Sequence, residues 1–324
     1  MLRTVSERDL QEHLGDGLVE PMVWVYVSHV ERFVDPTVWR KFSRVFSTVW
    51  GAGAFKGAFG SSLFTVNARR HLECTAEWLR VLRVYGSSFS NGVSGYVLTG
   101  WQRYDHFATL CELLPAAVPS LAANLILAGS GGPLEDGLFQ NVSSALGCGL
   151  RSKRPSLRSL TKNPYMWEYS RCRFPGQRFF RLIRTFKQMR SRINKHVKTV
   201  TEEQAWLTAY NVRHNFSSPM RLSEAILWHT ELVMSAERLR KDLKQSLDDV
   251  FDRHTVVEWL EQNIHPLFQS LAKLDSDARS LMGRDTWPAR PLPTDPLNHL
   301  FNESRIEISI MNFLKSRCSR LFSF

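Results

Sequence analysis

The chain is 324 residues long, 43% hydrophobic and 23% charged, with a net charge of +11 and five cysteines. That length can bury a full core, as one large domain or two smaller ones, and the composition is that of a soluble globular protein. No stretch approaches the roughly 18 uninterrupted apolar residues of a membrane span, and the N-terminus carries no apolar leader-like run.

In chain order, Pro21–Val27 reads as a first strand, Thr37–Phe46 as an amphipathic helix, and Val49–Phe55 as a second strand. Ala68–Val84 follows as a helix with Leu72, Ala76, Leu79 and Leu82 on one face, and Gly95–Thr99 as a third strand. Strands alternating with helices predict parallel βα units. After Pro133 the pattern changes. Gly and Ser recur from Gly129 to Ser152, as in a linker, and long helical repeats then cover Phe179–Val200, Leu222–Phe251 and His254–Leu274. The repeat Leu222, Ala225, Ile226, His229, Leu232, Val233, Ala236, Leu239 predicts a helix packed beside the sheet. Four regions are therefore expected: an α/β region over 1–128, a linker or poorly ordered basic insertion over 129–175, a helical region over 176–280, and a Pro-rich segment and tail over 281–324. Cys74, Cys111, Cys148, Cys172 and Cys318 lie far apart with no Cys-x-x-Cys pair. They are expected to be unpaired thiols in a reducing compartment, not a disulfide framework or a zinc site.

Charge is concentrated in one window. Between Arg151 and Lys198 fifteen Lys or Arg face a single acid, Glu168, and Tyr165, Trp167, Tyr169, Phe174 and Phe179 are interleaved with them. Phosphate binders use such a patch. The helical spacing of Phe179, Ile183 and Phe186 favours a helix with an aromatic core face and a solvated basic outer face over a nucleic-acid or acidic-lipid contact.

The most distinctive string is Gly95-Tyr96-Val97-Leu98-Thr99-Gly100-Trp101-Gln102-Arg103-Tyr104-Asp105-His106, continuing through Cys111-Glu112-Leu113-Leu114-Pro115. An apolar run that ends at a glycine and releases a cluster of polar and aromatic residues is how a buried parallel strand delivers groups to its C-terminal end. With Ala54-Phe55-Lys56-Gly57-Ala58 upstream and Val257-Glu258-Trp259-Leu260-Glu261-Gln262-Asn263-Ile264-His265-Pro266 downstream, the string resembles glycoside hydrolase family 20, the β-N-acetylhexosaminidases. The resemblance runs from Met1 to about Leu274. It implies the last strands of a TIM (β/α)8 barrel followed by a helical region, a cytosolic and nuclear location, and no metal or cofactor. It also implies hydrolysis of terminal N-acetylhexosamine from β-glycosides, in which the substrate's own acetamide oxygen attacks the anomeric carbon.

In such enzymes a Glu protonates the leaving oxygen and an adjacent Asp holds the acetamide. No Asp-Glu dipeptide occurs in these 324 residues, so the chain by itself is expected to be inactive and to correspond to the C-terminal part of a barrel. Three strands without the rest of a barrel are expected to leave an open edge and an exposed apolar face. By position, the resemblance assigns Trp101 to packing on the sugar ring. Arg103, Tyr104 and Asp105 are assigned to hydroxyl contacts, with a helix N-cap at Asp105 and an Arg103–Asp105 ion pair as the alternative for those two. Trp24 and Tyr26 match an aromatic pair after an earlier strand, with Val25 where the family pattern usually has Asp. Trp50 and Lys56 flank the middle strand, and His106 and Glu112 are expected on the following helix. Partners expected are an N-acetylhexosaminide and a second copy of the chain. The other reading is a non-catalytic basic helical module binding anionic partners, nucleic acid among them, through Arg151–Lys198.

Overall fold

The computed structural model describes residues 5–15, 17, 19–149 and 154–283. Its elements are α1 (Glu7–Leu14), β1 (Met22–Trp24), α2 (Pro36–Val45), β2 (Val49–Lys56), α3 (Ala68–Gly86), β3 (Val93–Gly100), α4 (Leu114–Ser130), α5 (Leu138–Ala145), α6 (Leu157–Lys162), α7 (Gln177–Lys198), α8 (Ala209–Arg213), α9 (Pro219–Asp248), α10 (Arg253–Asn263) and α11 (His265–Met282). All three strands predicted from the sequence form, and they make one parallel sheet in the order β1-β2-β3. In register, Trp24 lies beside Ala52, Ala54 beside Thr99, and Lys56 beside Gly100.

Strand periodicity gives the sheet two unlike faces. Val23, Val25, Val27 and Tyr96 turn to a core built from Trp39 and Phe42 of α2 with Trp78, Val81 and Leu82 of α3. Phe55 and Leu98 pack on Ala117 and Leu121 of α4. A polar seam runs through this layer. Tyr96 Oη pairs with Thr75 Oγ1 at 3.1 Å, Thr75 donates to Asn124 Oδ1 at 2.7 Å, and Ser120 Oγ donates to the Phe55 carbonyl at 2.8 Å. In this seam Tyr96, Thr75, Asn124 and Ser120 each have a partner, which burial favours. On the opposite face Met22, Trp24, Val93 and Trp101 are exposed.

Local sequence sets the helix ends. Asp35 caps α2 by accepting from Thr37 N at 2.8 Å, with Pro36 at the first position, where its missing N–H costs nothing. In α3 the buried face is Leu72, Thr75, Trp78 and Leu82, with Ala76 and Leu79 only partly covered. The helix expected over His254–Leu274 is two helices, broken at Ile264, because Pro266 has no N–H to continue the ladder.

In residues 129–175, read from composition as a linker or poorly ordered basic insertion, the described residues hold α5 and α6 and bury Leu138, Phe139, Val142, Leu160 and Tyr169. Within them Cys148 and Cys172 form a disulfide, which corrects the expectation of unpaired thiols. Their spacing of 24 residues hid the pair, since only the turn after α5 brings them together. Cys74 and Cys111 are free and buried as expected, and Cys318 lies outside the described residues.

The chain forms two compact units. One takes the described residues up to His196 together with His229–Ala272, so the sheet and most of the helical region share it. Here Trp259 of α10 sits edge-on to Phe179 and Phe186 of α7 at 5.4 and 5.7 Å. The other takes Val197–Trp228 and the described residues from Lys273, around a core of Val200, Leu207, Leu222, Ala225, Leu274, Ala278 and Leu281. In neither case do the boundaries fall where composition shifts. The Pro-rich segment and tail, from residue 284, lie outside the described residues.

Candidate functional site

Parallel strands gather their functional groups at the C-terminal edge of the sheet. There Trp24 is 64% exposed and Trp101 42% exposed. Trp101 Nε1 donates to Tyr26 Oη at 2.9 Å, Thr99 Oγ1 donates to the same hydroxyl at 3.2 Å, and the rings of Trp24 and Tyr26 lie 6.1 Å apart. Three of the aromatics singled out from the sequence therefore form one exposed wall. Val25 stands between two of them but faces the other side of the sheet, packed in the α2/α3 core. Its carbonyl accepts from Trp78 Nε1 at 2.9 Å, so this position contributes packing, and not a polar contact, to the edge.

The wall is fixed from beneath by groups weakly marked in the sequence. Lys56, at the end of β2, is 1% exposed and donates to the Trp101 carbonyl at 2.6 Å and to Gln102 Oε1 at 3.1 Å. Gly57 has φ +75°, and a Cβ there would stand 2.1 Å from the Trp101 carbonyl oxygen, so only glycine allows this approach. The Gly57 amide donates to Glu112 Oε2. Glu112 is also 1% exposed, sits at φ +44°, and leaves Oε1 without a hydrogen-bond partner among the described residues. Burial brings the Lys56 ammonium down to about 8, against the opposing pull of Cys111 and Glu112. Burial pushes the Glu112 carboxyl up to about 7, against its bond from Gly57 and the nearby Lys56. A cation and a carboxyl thus share a dry pedestal under the Trp101 turn. Beside it His71, buried and brought down to about 4 mainly by desolvation, pairs through Nδ1 with the Ala54 carbonyl at 2.5 Å.

The rest of the motif goes elsewhere. Arg103 does not pair with Asp105. Its guanidinium forks onto Glu258 of α10 at 2.5 and 2.7 Å and donates to the Ala108 carbonyl at 3.0 Å. Glu258 also accepts from Leu110 N at 3.1 Å and is held below the usual carboxylate range, chiefly by the Arg103 bond. Asp105 caps no helix, because α4 begins nine residues later; it accepts from Phe107 N at 2.9 Å and closes a turn in the loop. Tyr104 and His106 are exposed on that loop, beside Phe107 at 94% exposure. His106 and Glu112 both precede the helix on which they were expected. Trp50 is at the wrong end of β2. It lies over Gly95, and its Nε1 donates to Glu20 Oε2 at 2.5 Å, at the edge where the strands begin.

Exposed indoles and a shared hydroxyl at the C-terminal edge of a parallel sheet define the chain as an α/β protein with an aromatic strand-end site. No protein-family model matches it. It is 32% identical over 301 residues to hexosaminidase D of Homo sapiens, an alignment covering 91% of this chain and 59% of the relative. It is also 40% identical over 126 residues to hexosaminidase D of Bos taurus, covering 39% of this chain and 36% of that protein. The chain is hexosaminidase D-like, and it spans less than two thirds of the length of the curated relatives it matches.

Proposed function

We propose that this chain supplies the sugar-packing wall of a β-N-acetylhexosaminidase-type site, built on the last strands of a TIM barrel. The observation that carries the reading is the Trp24, Tyr26 and Trp101 cluster at the sheet edge, where an exposed indole presents an apolar face to a sugar ring and the Tyr26 hydroxyl stands ready beside it. The substrate class is a terminal N-acetylhexosamine in β linkage. Trp101 packs on the ring and Tyr26 offers a hydroxyl. Lys56, Gly57 and Glu112 are positioning residues that hold the Trp101 turn. Arg103 acts through Glu258 to brace the loop. The Asp-Glu pair that would protonate the leaving oxygen and hold the acetamide does not occur in these 324 residues, and the acid step is assigned to none of them.

Titration of N-acetylgalactosamine and N-acetylglucosamine, followed by saturation-transfer NMR, tests this reading. Binding that is lost in Trp101→Ala and weakened in Tyr26→Phe is expected, with no hydrolysis of a chromogenic N-acetyl-β-galactosaminide by the chain alone. Binding that survives Trp101→Ala would refute the wall. Turnover by the chain alone would show that it carries a general acid of its own.

A further inference from the structure

The densest charge in the chain is absorbed by nothing in the sugar reading, and its placement is specific. Helix α7 carries eight Lys or Arg and no acid over its 22 residues. Its apolar side, Phe179, Phe180, Ile183, Phe186, Met189 and Ile193, is fully committed to the core. At about 100° per residue, Arg181, Arg184, Arg192 and Lys195 fall within an arc of about 80° directly opposite that side, with Gln188 filling the gap between them. All five are exposed. The stripe is about 21 Å long. The other cations of the helix are engaged: Arg178 pairs with Asp249 at 3.5 Å, Lys198 with Glu203 at 3.7 Å, Lys187 lies 3.5 Å over Tyr165 and Arg190 5.3 Å over Phe64. Among the described residues no carboxylate lies within 4 Å of the four stripe cations.

From this arrangement we propose that the α7 stripe is a contact surface for the phosphate backbone of a double-stranded nucleic acid. Three guanidiniums and an ammonium in a straight row match a linear array of phosphates, each arginine offering a bidentate fork. The row offers no aromatic on which an unpaired base would stack, because Tyr165 and Phe64 are already covered by Lys187 and Arg190, and this favours a duplex over a single strand. It also offers no apolar rim to enter a lipid layer. The residues between the cations are Thr185, Gln188, Ser191 and Asn194, all exposed and polar, whereas a membrane-surface helix needs a free apolar face. Recognition is therefore electrostatic and indifferent to base sequence.

The test is fluorescence anisotropy of the whole chain with a labelled duplex longer than two helical turns, repeated over a range of salt. Affinity should fall with salt along a log–log slope of between about −3 and −4, as four neutralised phosphates require. Arg181→Gln, Arg184→Gln and Arg192→Gln should each lower that slope by about one, equally for unrelated duplex sequences. Arg178→Gln, which removes a cation already paired, should leave the slope unchanged. These side chains are exposed, and circular dichroism melting confirms that the variants retain the fold. Absence of duplex binding would overturn the proposal. So would a slope untouched in the triple variant, or loss, in the same variants, of binding to phosphatidylserine-containing vesicles when the duplex does not bind. Sugar binding enters none of these readouts, so the two proposals stand or fall separately.

Discussion

The residues that hold the Trp101 turn are visible to titration. Glu112 is raised to about 7, so between its ordinary 4.5 and about 7 the folded chain binds the extra proton and stability falls as pH rises. Lys56 is lowered to about 8, so the unfolded chain holds more protons from there up to its ordinary 10.5, and stability rises with pH over that range. His71, lowered to about 4, makes stability rise with pH between there and its ordinary 6.5, against the trend from Glu112. The comparison that isolates Glu112 is therefore wild type against Glu112→Gln, which still accepts from Gly57. Urea melts should show the wild type losing stability relative to the variant from about pH 5 to about 7. Parallel profiles over that window would refute the protonated pedestal. The sequence offered only hints of these groups. Lys56-Gly57 after an apolar run marked a strand end, but Glu112 read as helical, because a carboxylate folded back at positive φ has no signature in spacing.

At the scale of elements, the loop between β3 and α4 is the least regular part of the site and the one most dependent on distant partners. Arg103 and Glu258 are 155 positions apart, and their fork ties the loop to α10. Both side chains are partly solvated, at 40% and 33% exposure, which limits the strength of the pair. A double-mutant cycle with Arg103→Gln and Glu258→Gln should give a coupling of about 0.5–1 kcal/mol that shrinks with added salt. A coupling of zero at low salt would mean the loop is held by its backbone bonds alone. The strands and long helices were legible because apolar periods of two and 3.6 carry directly into burial, as in Leu222, Ala225, Leu232, Ala236 and Leu239 of α9. The destination of Arg103 was not, since the nearby Asp105 was an equally good partner on paper.

Across the whole molecule, the sheet is unevenly covered. Three helices protect one face, while the other presents Met22, Trp24, Val93 and Trp101, and β1 and β3 each pair only with β2 among the described strands. Unpaired edges beside an apolar face promote association. Sedimentation equilibrium of the purified chain should show concentration-dependent self-association, reduced in Trp24→Lys, which places a charge on the exposed face at the β1 edge. A monodisperse monomer at every concentration would overturn this expectation.

The sequence by itself determined the strands, the helices, the hexosaminidase-like motif and the concentration of positive charge, because each is written in local period or in a contiguous string. Only the tertiary structure decided which motif residues share a site. It moved Trp50 to the far edge of the sheet, sent Arg103 to Glu258, joined Cys148 to Cys172 and buried Lys56 and Glu112 under Trp101. Strand register and chain reversal set these contacts, and both depend on packing between segments far apart in the chain.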